Sequence, residues 1–88
     1  MNESDLLDNR TTMIEVFKTN VDDEVAAFDI VEIIHAAGMG YRANFDLGDC
    51  DRILRVASAA MIDNEVVIRI VRSFGFEACP LEDVPALL

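Results

Sequence analysis

The chain has 88 residues, 52% of them hydrophobic, with Lys+Arg 7 against Asp+Glu 17, a net charge of −10 and an isoelectric point near 4.2. That length makes one domain, and a small domain needs an efficient core because it buries a smaller share of its surface than a large one. The negative field repels phosphate backbones and anionic membrane surfaces, which sets nucleic acid and lipid aside as partners; it suits a basic protein patch or a divalent cation, and it also suffices for plain solubility.

No apolar run approaches the roughly 18–20 residues needed to span a bilayer. The stretch MNESDLLDNRTT lacks a basic segment followed by an apolar one, so it does not read as a secretory signal, and the expected compartment is the cytoplasm. Cys50 and Cys79 are too few for a disulfide framework and too far apart for a CxxC site, and are expected to be free, buried thiols.

Residues 1–12 are polar and acidic without sustained periodicity and read as a flexible N-terminal extension. The domain proper runs over 13–80. In MIEVFKTN the alternation predicts a strand with Ile14 and Val16 facing the core and Glu15 and Phe17 facing out, ended by residues 20–22. Asp22 or Asp23 can then cap a helix, with Glu24 adding favourable charge in its first turn. Ala27, Val31 and Ile34 form one row, and Ala26, Ile30, Ile33 and Ala37 the next, opposite Asp29 and Glu32; Gly38 ends the helix. His35, in the last turn, reads as structural because the helix dipole favours a cation there.

Tyr41, Ala43, Phe45 and Leu47 alternate with Arg42, Asn44 and Asp46, which predicts a second strand over 41–47. Gly48, Asp49 and Cys50 form the turn of a hairpin into a third strand over 52–57, with Leu54 and Val56 inward and Ile53 and Arg55 outward. A second helix is predicted over 59–74 from Ile62, Val66, Ile70 and Phe74, widened by Val67 and Val71 and stopped at Gly75. Phe76 to Cys79 makes a brief fourth strand closed by Pro80, and residues 81–88 are a C-terminal tail.

Strand, helix, strand, strand, helix, strand predicts an α+β fold of the ferredoxin-like βαββαβ type. It is a four-stranded antiparallel sheet with both helices on one face and the first strand between the third and fourth. The succession VFKTNV, a helix, NFDLGDCDRILRV and a helix ending in GF resembles the heavy-metal-associated domains of copper chaperones and metal-transporting ATPases, over residues 13 to about 79. That resemblance implies a soft-metal site made by CxxC at the turn between the first strand and first helix, where two thiolates can hold Cu(I). This chain has Val21, Asp22, Asp23 and Glu24 in that region, so it resembles a member with a degenerate metal site and no thiol ligand carries over.

The predicted topology puts Asp22, Asp23, Glu24, Asp49 and Asp51 on one rim. Such a cluster suits Ca²⁺, Mg²⁺ or Mn²⁺, or a basic patch on a partner, and equally suits a solvated rim with capping aspartates. DLGDCD lacks the later glutamate of a calcium-binding EF-hand loop. The open sheet face is expected to show Phe17 and Ile53 as an apolar spot for a protein partner or for self-association, with Glu15 and Arg55 pairing beside them.

No Ser/His/Asp set, HExxH, phosphate loop or paired Cys/His spacing occurs, so an enzyme is not expected and no cofactor is required. The leading functional expectation is a small non-catalytic interaction module. The alternatives are a binder or carrier of a divalent cation or copper, using the acidic rim or Cys50, and a dimeric, ligand-sensing regulatory domain of the ACT type. An RNA-binding sheet ranks last, because the open face lacks stacking aromatics.

Overall fold

The computed structural model describes residues 12–81, so the expected extension and tail lie outside the described residues except for Thr12 and Leu81. The elements are β1 (Met13–Thr19), α1 (Glu24–Ala36), β2 (Arg42–Asp46), β3 (Ile53–Ser58), α2 (Asn64–Ser73) and β4 (Ala78–Pro80). The strands form one antiparallel sheet in the order β2-β3-β1-β4, with the two helices packed on one side of it. This is the α+β, ferredoxin-like arrangement expected from the order of elements.

The core lies between the helices and one sheet face. Phe45 stands opposite Leu54, Leu54 opposite Phe17 and Phe17 opposite Pro80, so a single row of side chains crosses all four strands. Opposed residues of an antiparallel ladder share a face. Ile30 and Ile34 of α1 and Val67 and Val71 of α2 cover that row and are fully buried. Each such side chain contributes about 1.5–3 kcal/mol through removal of its surface from water.

The local signals act where the sequence puts them. The Asp23 carboxylate caps α1 by accepting the N–H of Val25 at 3.0 Å, and Asp63 caps α2 by accepting that of Glu65 at 3.1 Å. Gly38 and Gly75 follow the helices at φ 76° and 88°, a region that side chains with a Cβ resist. At the far sheet edge, Leu81 donates to the Val16 carbonyl at 2.8 Å, so the N–H that Pro80 lacks would have pointed away from β1.

Three expectations need correction. The second helix begins at Asn64, not residue 59, because the Ser58 hydroxyl accepts the N–H of Ala60 in a tight turn and Asp63 is the cap that starts the helix. The faces of β1 are exchanged: Phe17 is fully buried and Thr19 is 7% exposed, whereas Ile14 is 60% exposed. Apolar residues stand on both faces of this strand, and the register that aligns Phe17 with Leu54 selects the face holding the larger aromatic. Finally, Cys50 and Cys79 are free as expected, but both are exposed.

Candidate functional site

The end of β1 and the β2–β3 hairpin meet through the backbone. Thr19 N–H donates to the Asp51 carbonyl at 3.0 Å, and the Thr19 hydroxyl donates to that of Arg52 at 2.6 Å. The five carboxylates expected on one rim therefore lie at the same end of the sheet, but they do not converge. Asp22, Asp23 and Glu24 are exposed, Asp23 is occupied in capping α1, and Val21, inside the acidic turn, is fully buried in the core. That turn does not fit a soft metal: its residues are a core side chain, a cap and two solvated acids.

In the hairpin the donors do come together. Among the described residues, Asp49, Cys50 and Asp51 form the one set of three metal-ligating side chains, with one atom of each within 4.8 Å of the others. The loop builds this itself: Asp51 N–H donates to the Asp49 carboxylate at 2.8 Å, Arg52 N–H donates to the Asp49 carbonyl at 2.9 Å, and Arg52 takes φ 47° to enter β3. Lys18 Nζ lies 3.8 Å from the Asp51 carboxylate, an exposed pair that neutralises part of the local charge.

The open sheet face differs from the expected one in its central residues. Phe17 is on the helix face, and so is Glu15, whose carboxylate accepts from the Asn64 side chain at 3.5 Å. Arg55 is on the open face opposite Val16, so Glu15 and Arg55 do not pair. Ile53 stands opposite Asp46 on the open side as expected, yet it is only 7% exposed and offers little free surface. The residues that take their place are Ile14 and Val16, with Lys18 opposite Cys79 on β4. Arg42, Asn44 and Asp46 complete the face from β2.

Three of the seven basic residues, Lys18, Arg42 and Arg55, thus share one exposed face of a strongly acidic chain, against Asp46 as the acid within the strands there. Sequence reading missed Lys18 and Val21. The signal for both was the period-two continuation Phe17, Thr19, Val21, which was overridden by the apolar Ile14 and Val16. Cys50 sits in the hairpin and Cys79 on the edge strand, with β1 between their elements.

The chain matches no protein-family model, no curated protein and no solved structure. Among the described residues no helix is long and apolar enough to cross a membrane.

Proposed function

We propose that this protein is a small, non-catalytic interaction module, built like a heavy-metal-associated domain without its thiolate pair, that binds a protein partner through the open face of its sheet. The observation that carries the reading is the composition of that face: exposed Lys18, Arg42 and Arg55 around exposed Ile14 and half-buried Val16, on a chain of net charge −10. Charge of one sign gathered against the sign of the whole molecule selects an acidic patch on a partner. Ile14 supplies the apolar contact that an interface centre needs. Two exposed free thiols suit a reducing compartment, so the cytoplasm is the proposed location.

The test is affinity capture from cell extract with the wild type, Ile14→Glu, Arg55→Glu and, as a control on α2, Arg69→Glu. The reading expects a protein captured by the wild type and by Arg69→Glu, lost with either open-face variant and eluted by salt. Capture that survives both open-face variants sinks it.

A second reading rests on the hairpin. Asp49, Cys50 and Asp51 offer two carboxylate oxygens and a sulfur within 4.8 Å, a donor set for a borderline divalent ion such as Zn²⁺. Calorimetric titration of Zn²⁺, Mn²⁺ and Ca²⁺ decides it: binding that disappears in the Asp49→Ala, Asp51→Ala double variant supports the site, and no heat at millimolar ion removes it.

A further inference from the structure

We propose that the protein pairs with a second copy of itself through the free edge of β2, extending the sheet across a two-fold axis that passes beside Asn44. This goes beyond the open-face reading, because the edge and the face are different surfaces and either can fail alone.

The two sheet edges are unlike. β4 is three residues long and contains Pro80, both of which blunt an edge against further pairing. β2 is five residues, RANFD, with no proline. Its free side is identified by one hydrogen bond: Ala43 N–H donates to His35 Nε2 at 3.1 Å, so it points away from β3. By alternation Phe45 N–H points the same way, while Arg42, Asn44 and Asp46 direct their backbone groups at β3. The edge therefore presents the donors and acceptors of Ala43 and Phe45. Among the described residues, His35 covers one donor from above and nothing else hydrogen-bonds to this edge.

The sequence of β2 is complementary to its own reverse. Antiparallel pairing centred on Asn44 sets Arg42 against Asp46 of the other copy, Ala43 against Phe45, and Asn44 against Asn44. The first two relations occur twice and the third lies on the axis, as a two-fold interface requires. Phe45 N–H then donates to the Ala43 carbonyl of the other copy, twice across the axis, while Ala43 N–H keeps His35 Nε2 as its acceptor. Within one chain Arg42 faces Ala57 and Asp46 faces Ile53, so neither charge has an ionic partner across the β2–β3 ladder. A second copy supplies one to each, and opposite charges directly across neighbouring strands are favourable where like charges are not.

The helix side of the same edge carries apolar surface that pairing would cover. A groove of about 200 Å³ runs between α1 and β2, lined by Ala27, Phe28, Val31, Ala43, Asn44 and Phe45. Phe28 is 64% exposed beside it. Continuing the sheet through β2 brings the two α1 helices alongside each other on one face, so Phe28 of each copy reaches the other's groove. The net charge opposes association, but beyond about 8 Å that repulsion is screened at physiological ionic strength, whereas the edge contacts are direct.

The experiment is sedimentation of the full 88-residue chain from micromolar to millimolar concentration, with amide hydrogen exchange measured at both ends of that range. The wild type is expected to show a monomer–dimer equilibrium, and the amide of Phe45 to gain protection with concentration while those of Asn44 and Arg55, already in the ladder, and of Ala43, already bonded to His35, do not. Asp46→Arg places Arg against Arg twice and should weaken the dimer about tenfold, and the double variant Arg42→Asp, Asp46→Arg should restore it. Phe28→Glu should weaken it by at least as much. All three positions are exposed, and unchanged circular dichroism confirms that the variants fold. A monomer at every concentration overturns the proposal. So does a dimer indifferent to Asp46→Arg and Phe28→Glu, or one that the charge swap fails to restore.

Discussion

The hydroxyl of Thr19 donates to the carbonyl of Arg52 at 2.6 Å and accepts the N–H of Val21 at 3.2 Å, joining the end of β1 to the exit of the hairpin. Thr19 is 7% exposed, so both bonds are largely shielded from water. Replacing it with Val keeps the shape but leaves a buried N–H and a carbonyl unpaired, and should lower unfolding stability by about 1–3 kcal/mol. Thr19→Ser retains the hydroxyl and should recover most of that. Urea denaturation of the two variants measures the difference, and a loss in Thr19→Ser with none in Thr19→Val would show that the methyl group matters and the hydroxyl does not.

Arg52, at the other end of this bond, has φ 47°. A side chain there carries a strain of about 1–2 kcal/mol, which Gly does not. Arg52→Gly should therefore be neutral or stabilising by up to about 1 kcal/mol once the extra freedom of the unfolded chain is set against the relief. Thermal denaturation reads the sign; a clear loss of melting temperature would mean that the Arg52 side chain contributes packing that outweighs the strain.

The assignment of faces in β1 is open to direct test. Phe17 is fully buried and Ile14 is 60% exposed, so Phe17→Ala should cost about 3–5 kcal/mol and Ile14→Ala should lie within about 0.5 kcal/mol of the wild type. Because two residues of one strand on opposite faces are compared, the ratio of the two effects reports the register itself. Similar losses in both would contradict the arrangement.

Tyr41 and Asp63 link the start of β2 to the start of α2. The phenol oxygen accepts the N–H of Asp63 at 2.7 Å while the ring is 4% exposed, and Asp63 in turn caps the helix. Tyr41→Phe should cost about 1 kcal/mol, and Asp63→Ala about 1 kcal/mol as well. The two act on one helix end, so the double variant should lose measurably less or more than the sum, whereas Tyr41→Phe with Asp23→Ala, at a different helix, should be additive. Chemical denaturation of the five variants supplies the cycle.

The sequence by itself determined the order of elements, the inner faces of β2 and β3, and the stops at Gly38 and Gly75. These are local signals: Tyr41, Ala43, Phe45 and Leu47 alternate with polar residues without competition, and a residue at positive φ needs no distant partner to favour glycine. Tertiary structure alone decided which face of β1 is buried. Ile14 and Val16 compete with Phe17, and the outcome depends on alignment with Leu54 and Val56, which lie far along the chain. The same dependence governed the site. Counting acids placed five on one rim, but whether their oxygens meet is set by side-chain direction. Only the hairpin, whose turn folds on its own Asp49, brings donors together, while Asp23 is drawn into the cap of α1. The free edge of β2 was likewise invisible in one strand read alone, because an edge is defined by the neighbour that is missing and by the order β2-β3-β1-β4.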